Sequence, residues 1–102
     1  MPLSNPSATV SFPTSNTVTR NNVTASITSV LLLSPNSARK GVTIWNNSSA
    51  SLYIEFGTTP TISSFAVKIS PDGYYELPFN YVGVINGIWE IANGTALVRE
   101  MT

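Results

Sequence analysis

The stretch RKGVTIWNNSSASLYIEFG, residues 39–57, carries apolar side chains at every second position on both sides of a polar segment. Such alternation is typical of β-strands that bury one face and expose the other. A five-residue loop from Asn46 to Ala50 would join the two strands as a hairpin. Four apolar side chains then share one face in two cross-strand pairs, Ile44 with Leu52 and Val42 with Ile54. This stretch predicts an antiparallel sheet with one buried side.

Turn sequences further along the chain predict more hairpins. Ser70-Pro71-Asp72-Gly73 suits a type I turn followed by Gly73 in the left-handed conformation. The pairs that this turn predicts are Val67 with Leu77, Phe65 with Phe79, and Lys68 with Glu76. Asn86-Gly87 and Asn93-Gly94 are two-residue loops of the kind that closes a tight hairpin. Both loops agree on one core face, which comprises Val82, Val84, Trp89, Ile91, Ala96 and Val98.

The fold class follows from the absence of any sustained helical periodicity, since every regular element is then expected to be a strand. Strands are predicted near residues 23–33, 42–46, 51–56, 65–70, 74–79, 81–85, 88–92 and 95–100. The chain is therefore expected to be all-β, a compact antiparallel β-sandwich or jelly-roll-like barrel over residues 23–102. The order of strands beyond the local hairpins leaves no signal in the sequence.

Residues 1–22 differ from the rest of the chain because no period of 2 or 3.6 holds through them. They are rich in Ser, Thr, Asn and Pro, a composition typical of an extended N-terminal arm. The isolated apolar side chains of this arm are its candidate contacts with a partner, namely Leu3, Val10, Phe12 and Val18.

The face opposite the predicted core of the last two hairpins carries three large aliphatic side chains and a charged pair. Its members are Gly83, Ile85, Ile88, Glu90, Leu97 and Arg99. A diagonal pair of Glu90 with Arg99 would frame the aliphatic residues. One interpretation is an oligomer interface with a charged rim. The alternative is that this face is the inner face of a second sheet.

Composition limits the partners of the chain. Its 102 residues are 42% hydrophobic but only 10% charged, against roughly 25% charged in an ordinary soluble domain. Five Lys and Arg balance five Asp and Glu, so no net field attracts nucleic acid or an anionic membrane. The longest apolar run, Val30–Leu33, is too short for a membrane span or a signal peptide. Direct binding to nucleic acid or membrane is not expected.

Chemically reactive side chains are scarce. Histidine and cysteine are both absent, which removes most acid–base, nucleophilic and zinc chemistry at neutral pH. Asp72 falls in a turn, the glutamates are dispersed, and no glycine spacing resembles a phosphate-binding loop. No catalytic residue, metal site or cofactor is expected. Because a small domain without disulfides is marginally stable, self-association is favoured.

Three aromatic side chains fall outside the predicted core and could stack against sugar rings: Trp45, Tyr53 and Tyr74. Aromatic side chains are more often buried in cores or in protein interfaces. Carbohydrate binding is therefore an alternative to a structural role.

The motifs of the chain resemble those of small virion proteins of tailed bacteriophages. Three stretches carry the resemblance: ARKGVTIWNNSSASLYIEFG (38–57), FAVKISPDGYYELP (65–78) and YVGVINGIWEIANGTALVRE (81–100). The shared features are an Arg-x-Gly start at Arg39 and Gly41, an Asn-rich turn, a Leu-Tyr-Ile strand and a Pro-x-Gly-Tyr-Tyr-Glu turn. Gly-Ile-Trp-Glu and a terminal Ala-x-Val-x-Glu follow.

The resemblance implies a non-enzymatic structural role in the phage particle. The expected function is that of a capsid decoration or cement protein on the outer surface of the capsid. Such a protein commonly forms homotrimers, and its arms extend over neighbouring copies of the major capsid protein. Two alternatives remain open, an accessory protein of the tail, baseplate or fibre, and a carbohydrate-binding adhesion module.

Overall fold

The computed structural model describes residues 14–102, which form eight β-strands and no helix. The strands are β1 (Val18–Thr24), β2 (Val30–Leu33), β3 (Gly41–Asn47), β4 (Leu52–Phe56), β5 (Val67–Ile69), β6 (Tyr74–Glu76), β7 (Ile85–Trp89) and β8 (Thr95–Met101). The prediction of an all-β fold is confirmed.

The strands form two four-stranded antiparallel sheets. Sheet A has the order β1-β8-β3-β6, and sheet B has the order β2-β7-β4-β5. The chain passes from one sheet to the other at almost every connection, and this order is that of an eight-stranded jelly roll. Among the described strands, β4 and β5 are the one consecutive pair that hydrogen-bonds directly. The predicted antiparallel β-sandwich is confirmed, and its strand order is that of a jelly roll.

The core lies between the sheets and is built from alternate residues of their strands. Seven residues predicted to face the core are at most 2% exposed, namely Val42, Ile44, Leu52, Ile54, Trp89, Ala96 and Val98. Val82 and Ile91 were predicted for the same face but are 38% and 58% exposed, because both lie in connections between strands. Burial of each large aliphatic side chain stabilises the fold by about 1.5–3 kcal/mol.

The hairpin predicted within residues 39–57 is wrong, although its buried residues are correct. β3 belongs to sheet A and β4 to sheet B, so Ile44 and Leu52 meet in the core rather than across a ladder. Alternation determines which side of a strand is buried. It does not determine whether the next strand lies in the same sheet or in the opposite one.

The hairpin predicted at Ser70–Gly73 is also wrong. The turn itself exists, with the Gly73 amide donating to the Ser70 carbonyl at 2.8 Å. Asp72, rather than Gly73, has the positive φ, at 57°. The turn carries the chain from β5 in sheet B to β6 in sheet A. Lys68 therefore lies opposite Tyr53, and Glu76 lies opposite Thr43, so the predicted pair of Lys68 with Glu76 does not form.

The two Asn-Gly sequences do not form hairpins either. Asn86-Gly87 lies inside β7, where a Cβ on Gly87 would be 3.0 Å from side-chain atoms of both Leu32 and Leu52. This glycine therefore permits close packing in the core. Gly94 does occupy a turn, with φ of 85°, but that turn connects β7 of sheet B to β8 of sheet A.

The first strand overlaps the end of the stretch that was predicted as the arm. β1 begins at Val18 and pairs along its whole length with β8, from Val18 opposite Met101 to Thr24 opposite Thr95. The strand predicted near 23–33 is in fact two, because the connection 25–29 crosses between sheets. Polar side chains on β1 concealed this strand, since it is an exposed edge with one partly buried residue, Val23.

Arg39 holds together one end of the jelly roll, just before β3. Its side chain is fully buried and forms a 2.7 Å ion pair with Glu100 of β8. The remaining donors reach main-chain carbonyls in two connections, those of Ser34, Tyr81 and Gly83, at 2.6–3.0 Å. We call this set the Arg39 network. It ties the β2–β3 connection, the β6–β7 connection and β8 to one guanidinium group.

Asn46 holds together the opposite end, near the end of β3. Its amide oxygen accepts a hydrogen bond from Trp89 Nε1 at 3.1 Å. Its amide nitrogen lies 2.8–3.2 Å from the carbonyl oxygens of Ala50, Ile69 and Ser70, so one of its two protons is shared between two of them. We call this set the Asn46 network. It joins β3, β7, the β3–β4 connection and the end of β5 through uncharged groups.

Candidate functional site

Reactive side chains are not concentrated in any one place within the described part of the chain. No three carboxylate, histidine or cysteine side chains come together there to hold a metal ion. Within residues 14–102 every buried side-chain nitrogen and oxygen has a hydrogen-bond partner, so no buried polar atom among them points towards a missing ligand. Residues 14–102 also include no helix that could cross a membrane. A candidate functional site must therefore be sought on the surface.

The outer face of sheet A presents a row of large side chains across all four strands. Cross-strand register places Asn22, Leu97, Trp45 and Tyr74 side by side, in the strand order β1-β8-β3-β6. Trp45 is 41% exposed and Tyr74 is 55% exposed. We call these four residues the aromatic row. Two of the three aromatic side chains that sequence placed outside the core thus become direct neighbours.

A second row adjoins the aromatic row on the same face. Register places Arg20, Arg99, Thr43 and Glu76 side by side on the same four strands. We call these residues the charged row. Arg99 Nη1 donates to the Asn22 side-chain oxygen at 3.0 Å. At the other end, the Tyr74 hydroxyl donates to Glu76 at 3.2 Å, and burial, with a smaller effect of the Glu76 charge, raises the pKa of Tyr74.

A groove continues this face beyond the charged row. It has a volume of about 240 Å³ and lies between Met101, Gly41 and Glu76, with Lys40 and Ser15 at one end. The groove exists because Gly41 has no side chain on the outer face of β3. A Cβ there would meet Met101 only at ordinary contact distances of 3.7 and 3.9 Å. The outer face of sheet A thus combines exposed rings, charges of both signs and a groove.

The outer face of sheet B differs, because its aromatic residue is covered. Tyr53 is only 4% exposed, and the ring of Phe65 lies 4.6 Å from its ring. Its hydroxyl donates to Glu90 at 2.6 Å, and this hydrogen bond, together with burial, raises the pKa of Tyr53. The Lys68 ammonium lies 5.7 Å from the ring centroid. Tyr53 is therefore not an exposed platform, contrary to the sequence-based expectation.

The five residues predicted as an oligomer interface do not share one surface. Ile85 is fully buried in the core, which is the alternative that sequence left open. Ile88 lies on the outer face of sheet B, whereas Leu97 and Arg99 lie on the outer face of sheet A. Glu90 accepts the hydrogen bond from Tyr53 rather than pairing with Arg99. The error arose from treating β7 and β8 as one hairpin.

The predicted arm contacts divide into two groups. Leu3, Val10 and Phe12 lie outside the described residues. Val18 is the first residue of β1 and is 56% exposed. It lies opposite Met101, at the end of sheet A that carries the groove.

Sequence reasoning missed the structural roles of Arg39, Asn46 and Glu100. A signal was present for two of them, because Asn46 continues the inward phase of Val42 and Ile44, and Glu100 continues that of Ala96 and Val98. A polar residue in phase with core residues indicates a buried, hydrogen-bonded group.

Comparison with known proteins gives no further guidance on these surfaces. No family model, curated protein or solved structure matches the chain.

Proposed function

We propose that this protein is a non-enzymatic structural component of a tailed-phage particle. Its role is that of a capsid decoration or cement protein, which assembles as a homotrimer on the outer shell and binds across neighbouring copies of the major capsid protein. The motifs in residues 38–100 that resemble phage virion proteins are the sequence basis of this proposal.

One structural observation carries the proposal. The charged and amide side chains most deeply buried in the described chain, Arg39, Glu100 and Asn46, are fully engaged in fastening the two ends of the jelly roll. These three buried polar side chains therefore make the domain rigid. Rigid jelly rolls are used repeatedly as building blocks of viral capsids, although the same fold also occurs in lectins.

The edge of sheet A supports a mode of attachment. β1 has seven residues, and within residues 14–102 it pairs with a strand on one side only, β8, so its other side forms an edge to which a further strand could add. An extended segment from a neighbouring subunit can add to such an edge through main-chain hydrogen bonds. The N-terminal residues preceding β1 could make similar additions to an edge of the major capsid protein.

Attachment of this kind stabilises a shell by mass action. A protein that binds only intact subunit boundaries raises the free energy of separating them by its own binding free energy. Many copies of a modest contact are sufficient, and no catalytic group is required. The function thus matches a neutral chain without histidine or cysteine.

Copy number in purified particles tests the proposal. Quantitative mass spectrometry against the major capsid protein should give a count in the hundreds, as expected for a shell component. A count between a few and a few tens would instead support the tail, baseplate or fibre alternative. Absence from the particle would overturn both.

A deletion tests the attachment mode. Removal of residues 1–13 should abolish binding to capsids while leaving the thermal midpoint unchanged, because the deletion ends before β1. A deletion extending to residue 20 is unsuitable, since it removes three residues of β1. The matched control is Ile27→Ser, which changes an exposed apolar residue of the folded domain. Equal capsid binding by the deletion variant and the intact chain would contradict a role for the arm.

Light scattering of the isolated chain tests the trimer.

A further inference from the structure

The aromatic row places two exposed rings and one aliphatic side chain on the outer face of sheet A. Trp45 and Tyr74 are Cα partners on adjacent strands, and Leu97 flanks Trp45 on the other side. Both rings are at least 41% exposed on the outer face. Leaving large rings in water forgoes the favourable free energy of burying them. Because one face of a pyranose ring presents C–H groups, it can cover such rings while its hydroxyl groups remain hydrogen-bonded.

The charged row provides two cations that face each other without a carboxylate. Arg20 and Arg99 are directly opposite on β1 and β8. Within residues 14–102 the ion pair that forms is that of Arg39 with Glu100, so neither of these two guanidinium groups is neutralised. Like charges directly opposite one another are unfavourable in a sheet. An anion bound between them would remove this repulsion, and guanidinium groups bind carboxylates through paired hydrogen bonds.

The spacing of the two rows suits a single ligand. Neighbouring rows on one face are about 7 Å apart, since they are separated by two residues of a strand. Diagonal neighbours such as Arg99 and Trp45 are within reach of one another's long side chains. A sugar whose ring bears a carboxylate could therefore stack on Trp45 and place its anion at the arginine pair. Hydroxyl and amide side chains on this face, including Thr43 and Asn22, could bond to the sugar hydroxyls.

The dimensions of the face favour an oligosaccharide over a protein. Four strands of up to seven residues give a footprint of about 15 Å by 20 Å. This projected area is small beside the ~800 Å² of accessible surface that each partner contributes to a standard protein interface. The groove beside Gly41 extends the face by about 240 Å³, which offers room for a further part of a short chain of sugars.

We propose that the outer face of sheet A is a binding site for an acidic oligosaccharide built from uronic acids. Trp45 and Tyr74 stack on the sugar rings, Arg20 and Arg99 bind a carboxylate, and Asn22 positions Arg99. Glu76 lies at the far end of the charged row, so the acidic sugar is oriented with its carboxylate towards β1 and β8. This activity does not depend on the position of the protein in a particle.

Titration of the isolated chain with tetragalacturonate, followed by NMR chemical shifts and calorimetry, tests this proposal. Saturable binding should shift the indole resonance of Trp45 while leaving that of the buried Trp89 in place. The fully methyl-esterified tetramer retains the rings but lacks the charges, and it should bind at least about tenfold more weakly.

Variants assign the residues. Arg99→Gln and Trp45→Ala should each weaken binding by about tenfold or more, and Trp45→Phe should retain most of it. The matched control is Lys68→Gln, which removes one positive charge from the opposite sheet. It should leave affinity within about twofold. Circular dichroism and the thermal midpoint verify that each variant is folded.

Four outcomes would overturn the proposal. The first is that tetragalacturonate shows no saturable binding, and the second is that its methyl ester binds with the same affinity. The third is that Lys68→Gln loses as much affinity as Arg99→Gln, and the fourth is that oligothymidylate binds more tightly than tetragalacturonate. The last would indicate a single-stranded nucleic acid site, which uses aromatic stacking and arginine in a similar way. None of these results bears on copy number in a particle, so this proposal and the structural role can fail independently.

Discussion

The two ends of β3 are fastened by different chemistry. At the Arg39 network a charged group is fully removed from water and is compensated by one carboxylate and three carbonyls. At the Asn46 network a neutral amide makes four hydrogen bonds with a far smaller desolvation cost. The long guanidinium side chain reaches three separated segments. A long charged side chain can therefore connect more separated segments than a short amide can. Its disadvantage is that the loss of either partner leaves a buried charge without compensation.

Arg39→Met should have the largest effect, because it leaves the Glu100 carboxylate buried without its cation, with the Asn36 side-chain amide still donating to it at 3.2 Å. The expected loss is about 3–5 kcal/mol of unfolding free energy, measured by urea denaturation. This is a large share of the roughly 5–15 kcal/mol that stabilises a typical domain. Arg20→Met, on an exposed strand, should stay within about 0.5 kcal/mol.

Urea denaturation can also distinguish the effect of the unpaired Glu100 carboxylate from the effect of lost packing around Arg39. Arg39→Met combined with Glu100→Leu should be more stable than Arg39→Met alone, since the second change removes the unpaired carboxylate. A double variant less stable than the single one would show that lost packing and main-chain contacts dominate at this end.

Asn46→Ala should have the second largest effect, at about 2–3 kcal/mol. It leaves Trp89 Nε1 buried without an acceptor and removes a donor from three carbonyls, of which those of Ala50 and Ser70 keep a second donor in the Ser48 hydroxyl and the Gly73 amide. Asn47→Ala is the matched control, because the next residue points outwards and is exposed. A larger loss of unfolding free energy in Asn46→Ala than in Arg39→Met would contradict the conclusion that the charged end is the more sensitive of the two.

Gly94→Ala should cost about 1–2 kcal/mol, because Gly94 has φ of 85° and a Cβ there would overlap the Asn47 carbonyl oxygen. Its counterpart at the other end is Gly41→Ala, where a Cβ meets only Met101 at ordinary contact distance. That change should be neutral or slightly stabilising. Thermal midpoints of the two variants measure the difference, and equal losses would indicate that backbone strain is not the cause.

Tyr53→Phe should have the smallest effect, a slight loss of stability below about pH 10 that disappears as the pH rises further. The hydrogen bond to Glu90 and burial raise the pKa of Tyr53 above its usual value of about 10. The folded state therefore holds this proton more tightly than the unfolded state. The resulting stability is fully present below about pH 10 and is lost as pH rises through the folded pKa. The thermal midpoint of the native protein should thus fall more steeply than that of Tyr53→Phe above pH 10, and parallel curves would contradict this.

Much of the buried face of each strand could be predicted from sequence, but the partners of the strands could not. Alternation in residues 42–46 and 52–56 identified four core residues correctly, because the side that a strand buries is a local property. Turn chemistry is also local. The turn at Ser70–Gly73 forms as a turn, yet whether the chain then returns along the same sheet or crosses to the other depends on the packing of distant segments.

The candidate site illustrates the same limit. Trp45 and Tyr74 could each be identified as exposed from their phase, but 29 positions separate them, and only the pairing of β3 with β6 makes them neighbours. The pairing of Arg20 with Arg99 depended on recognising β1 as a strand. Its polar side chains concealed it, because an edge strand of a jelly roll needs few buried residues.

The near-absence of direct pairing between consecutive strands has a consequence for how quickly the protein reaches its native state. Among the strands of residues 14–102, all pairings except that of β4 with β5 join segments distant in the chain, so little structure can form from neighbouring residues alone. Proteins dominated by such non-local pairings fold in roughly milliseconds to seconds, far more slowly than helical bundles. During that interval sheet edges are exposed to other newly made chains. The polar sequence of β1, with Arg20 near its middle, therefore disfavours edge-to-edge pairing with other chains during folding as well as forming the edge of the finished sheet.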